Sequence, residues 1–366
     1  MAIQTALDSI SQNQGSPFGF KNRVINGGMV IDQRNAGASI TPTNAQYSVD
    51  RWQAVLTQAS KYTMQQNAGS VSLPAGFTKY LGFTSSSAYT LLSTDIFNFC
   101  HNIEGYNVAD LNWGTSSAAT CTLSFWTRSS LTGTFGVVIN NANATRTYPT
   151  TYTINSANTW EYKIITIPGD KSGTWATDNT LGIQLRFGLG VGSSYSGPAD
   201  SWSGNAYFGT TGTTSLLSTN GATLYITGVQ FERGSQATSF DWRPFGTELA
   251  LCQRYYQKSY GVNIVPGTAG SEGGCDMPCN TNAATNYYVS TTIQLKVPMR
   301  GQPTIRVWDP AGTLGRVTDY TAGGLTGTNG RNSIWGINSN ENSFYVINTQ
   351  NAATFSRFHW DAAIEL

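Results

Sequence analysis

The chain has 366 residues, a formal net charge of +1 and 11% charged residues, against roughly 25% in an average soluble protein. Aromatic residues make up 12% of the chain and glycine occupies 39 positions, a composition that excludes a disordered protein and favours a β-rich one. The near-neutral charge gives no basic surface for nucleic acid. No apolar run reaches the ~18 residues of a membrane-spanning helix, so we expect no membrane insertion.

The N-terminal segment, residues 1–20, is predicted to attach the protein to a partner or to other copies of the chain. Ile3, Leu7 and Ile10 are spaced by four and three residues, which gives one short apolar stripe if the segment is helical. A helix this short is marginal alone and needs a docking surface, and a frayed terminus is the alternative. The start MAIQTALDSISQNQG lacks the charged and apolar regions of a secretory signal, which predicts synthesis in a cytoplasm.

From residue 21 onward, strand-like segments dominate the first two thirds of the chain. Alternating or β-branched segments separated by turn residues predict the strands in YSVDRWQAVL, KYTMQQ, CTLSFWTRSS, TFGVVINN, TWEYKIITIP, LGIQLRFGLGVG and ATLYITGVQFERG. Helical periodicity is almost absent. We therefore predict a jelly-roll β-sandwich over residues 21–245, with its aromatic side chains facing inward.

A second, smaller β-sandwich domain is predicted over residues 246–366. It begins with TELALCQRYYQKSY, where Thr247 is the expected cap of a short helical turn. The strands YYVSTTIQLKV, PTIRVWD, SFYVINT and FSRFHWDAAIEL follow, separated by Gly- and Asn-rich loops. The stretch GVQFERGSQATSFDWRPFGTELALCQRYYQ, residues 228–257, is then interpreted as the connection between the two domains.

Residues that could form a metal or nucleophilic site are few. The chain has two histidines, His101 and His359, and we expect both to be structural, so neither a catalytic triad nor a metal site is predicted. Cys275 and Cys279 form a C-x3-C pattern that leaves three interpretations open: free thiols, a local disulfide, or a zinc site with Cys252 as third ligand. Free thiols are the default for five scattered cysteines, and no cofactor is predicted.

The acidic residues do not form a recognisable catalytic pair. Glycoside hydrolysis needs two carboxyl groups about 5–10 Å apart across the scissile bond. Asp50, Asp241 and Glu248 lie beside arginines or in turns and are interpreted as structural ion partners. The sequence therefore predicts a protein that is not an enzyme, with a polysaccharide depolymerase as an alternative.

Two aromatic loops are predicted to bind carbohydrate, because sugars stack on aromatic rings and their hydroxyls bond to polar side chains. The first loop spans residues 191–212 and the second spans residues 319–338. Loops of this length are often functional. Their candidate residues are Tyr195, Asp200, Trp202 and Tyr207 in the first loop, and Tyr320, Arg331, Asn332 and Trp335 in the second. The alternatives are aromatic rings that plug the sandwich end or a subunit interface, and a solvated connecting loop.

Several blocks of the sequence resemble a family of bacteriophage virion proteins, usually described as tail-fibre, head-fibre or receptor-binding proteins. They are RVINGGMVIDQR, YSVDRWQ, CTLSFWTRSS, TWEYKIITIPGDKSGTW, GATLYITGVQFERGSQATSFDWRPFGTELALCQRYY and FHWDAAIEL. The likeness covers residues 22–366 and is most specific from GVQFERG to CQRYY. The first domain is also similar to carbohydrate-binding jelly rolls in its strand pattern.

The resemblance implies a virion fibre or spike that binds a host cell-surface glycan without catalysis. It also implies a homotrimer, located on the virion and joined to other tail or capsid proteins through the N-terminal segment. The family offers no catalytic motif to carry over. A purely structural capsid-decoration or connecting fibre is the alternative within the same family.

Overall fold

A computed structural model describes residues 21–270, 272–278, 287–289, 292–320, 328–349 and 355–366. The predicted attachment residues Ile3, Leu7 and Ile10 lie outside the described residues. Two compact units make up the chain. The first consists of residues up to Val30, Gly37–Arg243 and Leu366, and the second of Ile31–Ala36 and Pro244–Glu365.

The main division between the units lies beside the boundary predicted at residue 245. The segment Ile31–Ala36, which the sequence analysis assigned to the first domain, belongs to the second unit. Within that unit, Gln33 Nε2 donates to the carbonyl of Tyr256 at 2.9 Å, and Arg34 forms an ion pair with Glu365 at 2.6 Å. These contacts join residues distant in sequence, so strand patterns could not have predicted them.

The first unit contains two five-stranded antiparallel sheets, here named sheet I and sheet II. Sheet I consists, in spatial order, of β1 (Trp52–Leu56), β4 (Ile96–Glu104), β9 (Leu181–Val191), β6 (Gly133–Asn140) and β7 (Thr147–Ile154). Sheet II consists of β2 (Tyr62–Gln66), β3 (Leu81–Ser85), β12 (Thr223–Arg233), β5 (Cys121–Ser129) and β8 (Glu161–Ile167).

Short elements connect these strands. The strands β10 (Ser196–Gly197) and β11 (Gly209–Thr210) form a parallel pair. Single turns of 3-10 helix occur at Ala68–Ser70, Gly105–Asn107, Ala109–Leu111, Ser193–Tyr195 and Leu216–Ser218. The first unit is therefore a β-sandwich with two large sheets, as its sequence pattern predicts.

Aromatic rings from both sheets fill the core of the first unit. Phe83 of sheet II stacks on Phe99 of sheet I with ring centroids 4.2 Å apart, and Phe99 stacks on Phe187 at 5.0 Å. Phe125 of sheet II meets Phe187 edge to face at 5.3 Å. These side chains are fully buried, so each removes a large apolar area from water and fastens the two sheets face to face.

The expectation that strands dominate from residue 21 is wrong for residues 21–51. Turns and isolated bridges occupy that segment, and β1 begins at Trp52. Asn26 and Met29 have φ angles of 59° and 58°, which an extended strand does not allow. Asn26 instead forms buried bonds: Trp52 Nε1 donates to its carbonyl at 3.1 Å, and its Nδ2 donates to the carbonyl of Asp50 at 2.9 Å. Such side-chain bonds compete with sheet pairing.

The second unit is built on one sheet with nine strands in the described part of the chain. They are β13 (Tyr256–Lys258), β14 (Cys275–Pro278), β15 (Tyr287–Val289), β16 (Ile293–Gln294), β17 (Thr304–Trp308), β18 (Arg316–Tyr320), β19 (Thr328–Ser339), β20 (Ser343–Thr349) and β21 (Phe355–Ala363). The closing strand β21 pairs with β13, β14, β17 and β18. Its residues Phe358 and Trp360 pack into a core with Val317, Phe344 and Val346.

One α-helix, α1 (Phe245–Gln253), is present among the described residues. The helix follows Pro244, so the expectation that Thr247 caps a helical turn is wrong. Proline lacks an N–H and has a fixed φ that suits a helix start. The all-β fold class predicted from the sequence is confirmed. Within the described chain, no helix is long and apolar enough to cross a membrane.

The buried imidazole of His101 makes stability depend on pH. Burial lowers the pKa of His101 well below its usual value, and the positive charges of Arg51 and Arg243 lower it further. The unfolded chain therefore binds a proton below pH ~6.5 that the folded chain excludes. Folding stability should be insensitive to this group above that pH and should fall as the pH drops below it.

We expect the free energy of unfolding to fall between pH 6.5 and 5.5 by up to about 1.4 kcal/mol for each such histidine. Burial also lowers the pKa of His359, so the wild type carries two of these groups. The unfolding free energy of His101→Gln, measured by urea unfolding at several pH values, should fall less steeply with decreasing pH than that of the wild type. His359→Gln is the matched comparison. An equal pH dependence of the unfolding free energy in the wild type and in His101→Gln would contradict the lowered pKa of His101.

Candidate functional site

The first predicted loop is ordered against the outer face of sheet I. Asn98 Nδ2 of β4 donates to the carbonyl of Phe208 at 2.9 Å, and Ser203 pairs with Thr147 of β7 through two backbone bonds of 2.8 and 3.0 Å. The guanidinium of Arg186 lies 4.4 Å from the centre of the Phe208 ring. The loop therefore covers this face of the sandwich with its own backbone and side chains.

The four candidate residues of this loop have different surroundings. Trp202 Nε1 donates to the carbonyl of Pro168 at 2.8 Å, and its ring packs against the hydrophobic core beside Tyr148, Trp113 and Trp175.

Tyr195 packs on Phe208 at 5.5 Å, and Tyr207 accepts a hydrogen bond from Asn205. Asp200 is exposed and accepts a hydrogen bond from Thr150 at 2.7 Å. Glycan binding by this loop stays a prediction.

The second predicted loop is largely a strand. Arg331, Asn332 and Trp335 lie in β19, so their placement in a loop is corrected, and Asn332 pairs with Val317 of β18. The structure does not describe the side chains of these three residues. Tyr320 is buried at the end of β18 and stacks on Phe355, with ring centroids 4.8 Å apart and planes 3° apart. Arg357 lies over the Tyr320 ring at 5.4 Å.

A groove that the sequence analysis missed lies on the outer face of sheet II. The side chains of β5 and β8 alternate between the core and solvent. The outward residues Trp126 and Tyr162 stand opposite each other in the register, and their ring centroids are 5.3 Å apart. Tyr162 is 39% exposed. Two adjacent rings thus form an aromatic floor on a rigid sheet.

Three more aromatic side chains form one wall of this groove. The rings of Phe77, Phe240 and Trp242 lie in mutual contact, with centroids 4.8 to 5.2 Å apart. Trp242 is 55% exposed, an unusual position for the largest apolar side chain. The wall combines a segment before β3 with a segment after β12, which are distant in sequence.

A bulge in β12 makes room for this wall. The register with β5 shifts between Thr227 and Gln230, and Gly228 in the bulge has a φ of 62°. A Cβ atom at Gly228 would lie 2.5 Å from the Phe77 ring and 3.3 Å from the Trp126 ring. Glycine therefore meets both needs here, the left-handed backbone and the close approach of the two rings.

The groove has a volume of about 410 Å³, within the range of about 300–1,000 Å³ that is typical of ligand sites. It is lined by Ala75, Phe77, Ser124, Trp126, Tyr162, Gly228, Ala237, Thr238, Ser239, Phe240 and Trp242. Most of this lining is aromatic or apolar, with hydroxyl groups at intervals. Such a surface suits a ligand with both apolar faces and hydrogen-bonding groups.

A buried polar clamp, formed by Gln230 and Glu232 of β12, holds the segment that carries Phe240 and Trp242. Both clamp residues are buried. The Glu232 carboxylate accepts hydrogen bonds from Thr238 N at 2.9 Å, from Thr238 Oγ1 at 2.6 Å and from Gln230 Nε2 at 2.7 Å. Gln230 Oε1 in turn accepts the backbone N–H of Asp241 at 2.8 Å. Charge-assisted bonds of this kind are among the stronger ones in proteins.

Further contacts anchor the same segment along sheet II. Thr122 Oγ1 donates to the carbonyl of Gly234 at 2.8 Å, and Lys21 Nζ donates to the carbonyl of Ser239 at 2.6 Å. Asp241 forms an ion pair with Arg243 at 3.6 Å, as its interpretation as a structural ion partner predicts. The segment from residue 234 to 243 is therefore more than a connection: it is fastened to the sheet and forms a groove wall.

Other candidate chemistry is sparse. In the portions of the chain that the structure describes, no group of three His, Cys, Asp or Glu side chains could hold a metal ion. Cys100 and Cys121 carry buried free thiols. The thiol of Cys275 accepts a hydrogen bond from Trp360 Nε1 at 3.2 Å, and burial raises its pKa. Cys279 lies outside the described residues, so a disulfide between Cys275 and Cys279 stays an open interpretation.

No protein-family model matches the chain, and no curated protein matches it. Among solved structures it is similar to a carbohydrate-binding module of family 4, with 15% identity and a TM-score of 0.28 over 58% of this chain and 99% of that one. It is also similar to a family 61 module in complex with β-1,4-galactotriose, with 10% identity and a TM-score of 0.27 over 53% of this chain and 100% of that one. A third similar structure is a family 11 module of a Clostridium thermocellum cellulase, with 10% identity and a TM-score of 0.26 over 55% of this chain and 98% of that one.

We expect Glu232→Ala to loosen the groove wall, because Thr238 N, Thr238 Oγ1 and the buried Gln230 Nε2 all lose an acceptor. The unfolding free energy should fall by about 1–3 kcal/mol, and backbone amide exchange should accelerate in residues 235–242. Glu232→Gln keeps one acceptor oxygen and should have an intermediate effect.

Glu161→Ala is the matched control, because this carboxylate bonds to Asn155, Ser156 and Lys163 at another turn. In Glu161→Ala, backbone amide exchange should change around residues 155–156 only. Unchanged exchange in residues 235–242 of Glu232→Ala would contradict the clamp.

Proposed function

We propose that this protein binds glycans without catalysing a reaction on them, and that the aromatic groove on sheet II is the binding surface. The observation that carries the proposal is the set of solvent-facing rings, Trp126 and Tyr162 on the floor and Trp242 on the wall, in a groove of about 410 Å³. Exposed rings cost free energy in water, so their clustering at one place points to a ligand.

The chemistry of the lining suits a sugar. A pyranose ring presents C–H groups on its faces, which pack on aromatic rings, and hydroxyls around its edge. Tyr162 and Ser239 are exposed and place hydroxyl groups in the lining that can exchange hydrogen bonds with those of the sugar. Aromatic side chains have only two χ angles and therefore lose little rotamer freedom on binding, and the clamp holds the wall in place.

The same lining supports the proposal of binding without catalysis. Hydrolysis of a glycosidic bond requires an acid and a base or nucleophile on either side of it. None of the described residues that line the groove is Asp or Glu. The groove therefore offers stacking and hydrogen bonding, which suit retention of a glycan and not its cleavage.

The biological setting in this proposal is a bacteriophage fibre or spike that attaches to a host-surface glycan as a homotrimer. The support is the sequence resemblance over residues 22–366, which is most specific in the block from GVQFERG to CQRYY. That block contains the clamp residues and the wall residues Phe240 and Trp242. In the proposal, residues 1–20 join the fibre to other virion proteins.

The groove can be tested against the loop that the sequence favours. We expect Trp126→Ala and Trp242→Ala each to weaken glycan binding about tenfold or more, since each removes a stacking ring. Tyr106→Ala is the matched control, because Tyr106 is 62% exposed outside the groove. Affinities from calorimetry on a glycan that a glycan array identifies would provide the comparison.

The variants Tyr195→Ala and Tyr207→Ala complete this test. If they abolish binding while Trp126→Ala and Trp242→Ala leave it unchanged, the loop over residues 191–212 is the site and the groove is not. If the array finds no glycan and the protein does not adsorb to host cells, the proposed function itself is wrong. Adsorption of whole virions to the host, with and without Trp242→Ala, tests the biological setting.

A further inference from the structure

We propose that the groove selects uncharged sugar chains over sugar chains that carry carboxylates. This inference rests on the proposed function and names the class of glycan. Its first support is the lining itself: within the described chain, no Asp, Glu, Lys, Arg or His lines the groove. An ionic ligand would find no countercharge among these side chains.

The acidic side chains nearest to the groove wall are already engaged. The Glu232 carboxylate accepts three hydrogen bonds from Thr238 and Gln230, and it is 3% exposed. Asp241 accepts the backbone N–H of Asn22 at 3.2 Å and pairs with Arg243 at 3.6 Å. Both carboxylates thus build the wall, and neither contributes its charge to the lining.

Three basic side chains around the groove are engaged in the same way. Lys21 Nζ donates to the carbonyl of Ser239 at 2.6 Å, and Lys163 pairs with Glu161 at 2.6 Å. Arg128, two residues from Trp126 on β5, donates through Nε to the carbonyl of Asn158 at 2.9 Å, and its guanidinium lies 5.4 Å from the Tyr225 ring. The Lys79 side chain is outside the lining.

A sugar carboxylate would therefore lose water on entering the groove and gain no cation in return. Transfer of a charge from water without a partner is costly, whereas a hydroxyl recovers its hydrogen bonds from Ser239 or Tyr162. The aromatic faces add to this preference, since their negative quadrupole repels a carboxylate placed over the ring. We expect discrimination of about tenfold or more in favour of the uncharged chain.

The test uses pairs of oligosaccharides that share linkage and ring geometry and differ only in the carboxylate. A neutral mannan oligosaccharide and its mannuronate counterpart form one pair, and a cello-oligosaccharide and its glucuronate counterpart form another. The full-length protein is titrated with both members of each pair at low and at high salt. We expect the neutral member to bind more tightly, with an affinity that does not change with salt, because no ion pair forms.

A positive charge added at the edge of the groove should weaken the selectivity against carboxylates. Ala75 lines the groove and is exposed, so Ala75→Lys places an ammonium at its edge, with Ala75→Gln as the uncharged control. Only Ala75→Lys should strengthen uronate binding, and that gain should disappear at high salt.

The outcomes separate the two proposals. If the wild type binds uronates as tightly as the neutral sugars, and Trp126→Ala abolishes both, the groove binds glycans but the selectivity proposal is wrong. An Ala75→Lys variant that behaves like Ala75→Gln also counts against it. If no member of either pair binds and the glycan array is also empty, the proposed function fails and this inference fails with it.

Discussion

The hydrogen bonds between the Glu232 carboxylate and Thr238 determine where the groove wall stands. Residues 234–243 leave the end of β12, and without a fixed attachment that segment would be an ordinary connection between the two units. The carboxylate and the Gln230 amide instead hold the segment on the outer face of sheet II, at bonds of 2.6 to 2.9 Å. Phe240 and Trp242 then meet Phe77, and the three rings form the groove wall.

The few charged residues of the chain serve partly to hold the fold together. The chain has 20 acidic and 21 basic residues, and several of them form ion pairs within the fold. Arg146 pairs with Asp170 between two loops, and Arg306 pairs with Asp361 between the adjacent strands β17 and β21. The groove on the outer face of sheet II is lined by aromatic, hydroxyl and small side chains. Stacking and hydrogen bonding, the interactions that such a lining offers, depend little on salt.

Much of the fold could be predicted from the sequence, because strand alternation is a local property. Segments such as KYTMQQ and TWEYKIITIP show the period of two directly. The groove could not be predicted in the same way, because its floor pairs Trp126 with Tyr162 and its wall joins Phe77 to Trp242 across more than half of the first unit. One signal was available: Tyr162 and Trp126 are large rings at outward positions of strands, and outward rings without a core require an explanation.

A crystal structure of the protein with a neutral oligosaccharide tests the central claim most directly. The account predicts a sugar ring packed on Trp126 and Tyr162 and flanked by Trp242, with residues 234–243 in the same position as without the ligand. A sugar bound instead beside Tyr195 and Tyr207 or on the second unit would contradict it, as would a groove that forms only when the ligand binds.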